Sequence, residues 1–291
     1  MNHVSSVDGD NVIDWGRTSS DYSAYRPNYP DRFFHLLAAF GVGLQGQRIL
    51  DLGTGVGFLA LSFAQQGAFA TGVDIAEGQI GEARRRCAAL GLAAEFLVVP
   101  AEDTGLPAAS FDVVAASQAW LYFDTDRVIA EVKRLLKPDG LLVTSHFCWL
   151  PRHDPVAHAS ERLVLQHNPK WTGADLSGEI PVLPKWSNGH FEFHAMFVFD
   201  EAIPFTRESW RGRIRACRGI GATLRDDQID VFDREHDTLL RTITTEHFSI
   251  LHRIDAHLLR PIRPRISTSA LSRDRSLVPI QPTGAQNSPS R

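Results

Sequence analysis

Arg48 to Gly57 read R-I-L-D-L-G-T-G-V-G, a short apolar run that ends on an acid, Asp51, and breaks at once into the alternating glycines Gly53, Gly55 and Gly57. A tight strand-to-helix turn needs positive φ angles that glycine adopts without steric cost, and a bare backbone lets a ligand lie against it. The next residues, F-L-A-L-S-F-A over 58–64, continue as a helix whose first N–H groups face the loop. Such a helix start can hold a carboxylate or phosphate. Strand, glycine turn and helix in this order predict a nucleotide-like ligand.

Downstream, strands and helices alternate. Phe69 to Val73 is a second strand ending in Asp74, placed where an acid can take both hydroxyls of a ribose. A helix from about Glu77 to Leu90 is stopped by Gly91, and Glu95 to Val99 forms a third strand before P-A-E-D-T-G-L-P at 100–107. The run S-F-D-V-V-A-A-S-Q-A-W closes a fourth strand with Ser117, Gln118 and Ala119 at its carboxyl end. Residues 128–146 then give a helix, a Pro-Asp-Gly turn and a fifth strand ending in His146. This alternation predicts an α/β fold, a doubly wound and mostly parallel sheet with its ligand outside the carboxyl ends of the strands. Asp51, Asp74, Glu102, Gln118 and His146 all fall at those ends.

A nicotinamide or flavin fingerprint, G-x-G-x-x-G, would need glycine at position 58, which is Phe58. It would also not place an acid two residues before the first glycine, where a carboxylate attracts a cation and repels a pyrophosphate. The pattern acid-x-G-x-G-x-G, followed by the ordered motifs over about 47–147, resembles the class I S-adenosylmethionine-dependent methyltransferases. Y-R-P-N-Y-P, A-E-D-T-G-L-P, S-Q-A-W-L-Y-F-D and W-R-G-R-I-R-A-C further resemble a bacterial small-molecule group related to the trans-aconitate methyltransferases. Leu121 and Tyr122 stand where that group often has His-Trp.

The resemblance implies a seven-stranded sheet with an antiparallel end and S-adenosyl-L-methionine as cofactor. It places Asp51 with Gly53, Thr54 and Gly55 at the methionine end, Asp74 at the ribose, Ile75, Ala101 and Glu102 at the adenine, and Gln118 beside the methyl. Methyl transfer to O, N or C of a small, possibly acidic molecule is the expected activity. A protein that binds the cofactor without transferring the methyl, or a nicotinamide-dependent oxidoreductase, are the alternatives.

With 291 residues, 43% of them hydrophobic, the chain can bury one large core. A net charge of −4 gives no field to draw nucleic acid or an anionic membrane. The polar first ten residues and the lack of a long apolar window lead us to expect a cytoplasmic protein. Cys87, Cys148 and Cys217 are scattered without C-x-x-C spacing, and no H-x-x-x-H pair with a carboxylate partner falls on one helix, so neither a disulfide framework nor a metal site is expected. The domain is expected to span 1–266, with a Ser-, Pro- and Arg-rich disordered tail at 267–291.

Before the sheet, Tyr22 and Arg26 lie on a segment that in similar methyltransferases folds over the cofactor; they are candidate contacts to its carboxylate or to the acceptor. Sixth and seventh strands are read at 188–199 and 249–259, with substrate-selecting insertions over about 150–187 and 200–247. In the second insertion Trp210, Ile214 and Cys217 share a helix face, and Arg207, Arg211, Arg215 and Arg218 read as a solvated cluster on its flank. Arg213 sits apart and, with Arg211 as the alternative, is the candidate anchor for a substrate carboxylate or phosphate, since a guanidinium offers a bidentate fork. His146 is the candidate base. Arg84, Arg85 and Arg86 read as solvated charges.

Overall fold

The computed structural model describes residues 7–8 and 11–263; the expected disordered tail at 267–291 lies outside the described residues. Seven strands form one sheet: β1 Arg48–Leu52, β2 Phe69–Asp74, β3 Ala94–Val98, β4 Phe111–Ser117, β5 Leu136–Trp149, β6 Phe191–Thr206 and β7 His247–Pro261. Their spatial order is β3-β2-β1-β4-β5-β7-β6. The strands from β3 to β5 pair in parallel, and β7 alone runs antiparallel, inserted between β5 and β6. Strand order reverses between β1 and β4, so a crevice opens at their carboxyl ends, where ligands of open α/β sheets bind.

Eight α-helices accompany the sheet among the described residues: α1 Ser19–Tyr25, α2 Asp31–Ala39, α3 Phe58–Gln65, α4 Glu77–Ala89, α5 Thr125–Leu135, α6 Pro155–His167, α7 Arg207–Arg215 and α8 Asp226–Ile243. Alternating residues of each strand feed two cores. Ile49, Val113, Ala115, Val143 and Phe147 pack with α2, α3, α6, α7 and α8 on one face, and Leu50, Leu52, Val114 and Leu142 pack with α5 on the other. A strand buried on both faces is apolar throughout, which is why R-I-L-D-L carries no polar alternation.

The end of the sheet departs from the sequence reading. Strand β6 runs through to Thr206 and β7 begins at His247, because long antiparallel partners keep pairing from Phe191↔Pro261 to Thr206↔His247. The intervening insertion is therefore 207–246, shorter than expected, and it holds α7 and α8. The Pro-Asp-Gly turn at 138–140 lies within β5, where pairing with β4 shifts register between Phe111 and Val113.

The arginine cluster on α7 is not a solvated face. Arg211 pairs with Asp233 and with Asp237 at 2.9 Å, and Arg215 bridges Asp21 of α1 at 2.9 Å and Asp233 of α8 at 2.7 Å. These pairs tie three helices together. At Gly212 a Cβ would lie 2.1 Å from the Tyr25 ring, so α1 lies on α7 only because the position is glycine. Arg84 and Arg86 also depart from the solvated reading: they donate to the carbonyls of Phe96 at 2.7 Å and Val56 at 3.0 Å. No described helix is long and apolar enough to cross a membrane.

Candidate active site

The glycine loop between β1 and α3 is held from below and from the side. Gly53 and Gly57 adopt φ of 64° and 82°, and a Cβ on Gly53 would come within 2.5 Å of the Ala119 Cβ. Asp51 is 2% exposed. It lies under the loop, accepting from the Thr54 hydroxyl at 2.6 Å and from the Ala60 amide. Burial pushes its carboxyl up to about 7, assisted by the nearby Asp74 charge and opposed by the Thr54 and Ala60 hydrogen bonds. Such an acid ionises readily when a cation arrives.

Asp74 accepts from the Gly55 amide at 3.0 Å and the Ala76 amide at 2.9 Å, pinning loop to strand. Burial raises its pKa against these amide contacts. A carboxylate has about four acceptor positions, and the Gly55, Ala76 and Ile75 amides take three of them. Ile75 beside it is an exposed apolar side chain, while Ala101 is buried. Glu102 takes the Asp124 amide at 2.9 Å, joining the loop after β3 to the start of α5. Gln118 closes β4 with φ of 56°, a left-handed conformation rare for a side-chain-bearing residue. Its amide donates to the Phe147 carbonyl. The fold thus places these residues at or just after the carboxyl ends of β1 to β4.

Two residues absent from the sequence reading lie beside the glycine loop. Gln79 is buried on α4 and donates to the Trp15 carbonyl at 2.9 Å, while its Oε1 has no partner among the described residues and lies 3.7 Å from where a Gly55 Cβ would stand. Trp15 meets Tyr122 edge-on at 5.0 Å, so the segment before α1 lies across the loop. Gln79 and Trp15 carry no motif. A buried polar residue one turn into the helix after Asp74 was the only available signal.

Tyr22 and Arg26 lie beside the start of α3: the Arg26 guanidinium sits 4.8 Å over the Tyr22 ring, which tilts against Phe58, the first residue of α3. Tyr29 donates or accepts at Ser117 (2.7 Å) and Ser145 (3.1 Å), and burial raises its phenol pKa.

Arg213 is 5% exposed. Its guanidinium lies 4.7 Å over the Trp149 ring, its Nε has no hydrogen-bond partner, and no carboxylate pairs with it among the described residues. Burial, and then the charge of Arg26, pull its pKa down to about 10. An unpaired buried cation is expensive. Burial raises the thiols of Cys148 and Cys217, Cys217 to about 11, and the Arg213 charge opposes both shifts.

His146 stands apart from Arg213. Its Nδ1 lies 3.1 Å from Asp255 Oδ1, Asp255 is 0% exposed, and the His146 side chain is 42% exposed. Trp149, under Arg213, belongs to the face that holds Phe147, and His146 by strand alternation points to the other. The structure does not bring the two together in one pocket.

An open sheet of order 3-2-1-4-5-7-6 with an acid-pinned glycine loop at the switch point is the class I methyltransferase fold. Residues 50–144 match the methyltransferase domain family. The chain is 37% identical over 139 residues to a malonyl-[acyl-carrier protein] O-methyltransferase of Geobacter sulfurreducens, covering 45% of this chain and 50% of that protein. It is 32% identical over 131 residues to a ubiquinone biosynthesis O-methyltransferase of Bordetella avium, covering 44% and 54%. The chain thus spans about half the length of these curated relatives. A solved structure from Anaeromyxobacter dehalogenans, assigned as a type II methyltransferase, superposes with a TM-score of 0.54 at 23% identity, covering 81% of this chain and 97% of that one. That likeness shows a shared fold.

Proposed function

We propose that this protein is an S-adenosylmethionine-dependent methyltransferase whose acceptor is a small anionic molecule. One juxtaposition carries the reading: the acid-pinned glycine loop at the ends of β1 and β2, and, beyond the ends of β4 and β5, a buried guanidinium with no carboxylate partner among the described residues. The crevice residues fit the cofactor. Asp51 and the orphaned Gln79 Oε1 offer acceptors for its ammonium, Asp74 for the ribose, and Ile75 with Ala101 an apolar seat for the adenine.

When bound, the cofactor supplies a methyl group on a sulfonium, already a strong donor. The chain then has to align the acceptor in line with that methyl and exclude water. Arg213 would hold the anionic end of the acceptor, and Arg26 and Tyr22 the carboxylate of the cofactor or of the acceptor. Gln118 would shape the space beside the methyl. His146 is the base of this reading: Asp255 accepts from Nδ1–H, so Nε2 is left as the proton acceptor. Because His146 and Arg213 lie on opposite faces, an acceptor that uses both must lie across the carboxyl edge of the sheet.

The reading is tested by incubating the protein with the cofactor and a panel of small carboxylic acids and phosphates, and following S-adenosylhomocysteine and gain of one methyl group by mass spectrometry. Methylation of an acid by the wild type and its loss in Arg213→Met support it. Methylation only of uncharged or cationic acceptors, untouched by Arg213→Met, refutes the anionic class.

A further inference from the structure

His252 on β7 is the register partner of Trp149 on β5, the residue beneath Arg213. Its ring is 1% exposed. Nδ1 lies 2.9 Å from the Ile250 carbonyl, and a carbonyl only accepts, so the proton of this imidazole is on Nδ1. Nε2 therefore carries a lone pair, and it has no partner among the described residues. The ring is fixed by Phe147 at 5.1 Å, Phe205 at 5.9 Å and Trp210 at 6.4 Å. Trp210 lies on α7, one turn before Arg213, and meets Trp149 at 5.5 Å.

Two buried polar groups of opposite sense thus both neighbour Trp149 without satisfying each other: the Arg213 Nε–H donor and the His252 Nε2 acceptor. A buried polar atom left unpaired costs free energy, so a pair of this kind calls for a ligand that completes both. The ligand must bring an acceptor for the guanidinium and, beside it, a hydrogen-bond donor for the imidazole. Burial, and the charges of Arg213 and Arg26, hold His252 down to about 3 against the Ile250 hydrogen bond, so the ring is neutral and remains an acceptor at physiological pH.

We propose that His252 is a specificity-determining residue of the acceptor site, accepting a hydrogen bond from a hydroxyl carried next to the anionic group that Arg213 holds, so that the acceptor is a small hydroxy acid. This rests on the assignment of Arg213 as the acceptor's anchor. Selectivity follows from desolvation: an acid lacking the hydroxyl leaves Nε2 buried and unpaired, the circumstance in which sites discriminate most strongly.

The test is calorimetry on protein loaded with S-adenosylhomocysteine, titrated with lactate against propionate and 3-hydroxybenzoate against benzoate. For the wild type, the hydroxy member of at least one pair should bind about tenfold or more tightly. His252→Phe, which keeps the aromatic stack, should abolish the difference in affinity between the hydroxy acid and its deoxy partner. Arg213→Met should bind neither. Acids that bind through Arg213 without a hydroxyl preference in the wild type, or with a preference that survives His252→Phe, overturn the role of His252 and leave the Arg213 assignment standing. Failure of all four acids to bind the loaded wild type overturns both.

Discussion

Asp51 offers the sharpest prediction, because burial raises its carboxyl into the neutral pH range. With a pKa of about 7, only about 3% of it is ionised near pH 5.5 and about half near pH 7. If the cofactor's ammonium binds the ionised form, affinity should rise about fifteenfold across that interval. The sign follows from the shift: the cation favours the deprotonated acid, so binding releases a proton. Proton release should be close to one per cofactor near pH 5.5 and fall toward zero above pH 8. Calorimetric titration with S-adenosylmethionine in two buffers of different ionisation enthalpy reads both quantities. Asp51→Asn should bind weakly at every pH and flatten the profile, which separates this acid from Asp74, whose pKa is also raised. A wild-type affinity that does not change between about pH 5.5 and 7, with no proton released, would refute the assignment of Asp51 to the cofactor's cationic end.

Three further outcomes are expected. Arg213→Met should stabilise the ligand-free protein by about 1–2 kcal/mol in chemical denaturation, because relief of an unpaired buried charge exceeds the lost cation–π contact; a destabilised variant would mean that the guanidinium has a structural partner. Burial lowers His236 to about 4, so its neutral form favours the folded state. The stability it contributes is complete above the unfolded pKa of about 6.5 and is lost as pH falls toward 4. His236→Leu should therefore reduce the acid sensitivity of unfolding by at most about 3 kcal/mol over that window, and an unchanged pH profile would contradict this. Gly212→Ala drives a methyl into the Tyr25 ring and should cost about 1–3 kcal/mol. Limited proteolysis should then cut first within residues 14–29; an unchanged cleavage pattern would show that α1 does not depend on α7 for its position.

The candidate cofactor half of the site is local in sequence. Asp51, the three glycines, Asp74 and Gln118 stand at strand ends fixed by short-range alternation. The acceptor half was legible only in part. Arg213 could be separated from its neighbours by helical periodicity, but the fate of Arg211 and Arg215 depended on Asp21, Asp233 and Asp237, which come together only when α1, α7 and α8 pack. His252 and Asp255 were invisible for a related reason: both lie on β7, whose neighbours β5 and β6 are distant in sequence, and a histidine in an apolar strand looks the same whether its Nε2 is paired or orphaned. The bounds of β6 and β7 were misjudged because cross-strand pairing, not apolar alternation, sets where long antiparallel partners end.

Binding of S-adenosylhomocysteine to the wild type and to Asp74→Ala, compared by calorimetry, tests the central claim most directly. The account predicts one site per chain, of micromolar affinity, weakened about tenfold to a hundredfold by the loss of the carboxylate that pins Gly55 and would bind the ribose. Absence of binding by the folded wild type, or equal affinity in Asp74→Ala, would contradict it.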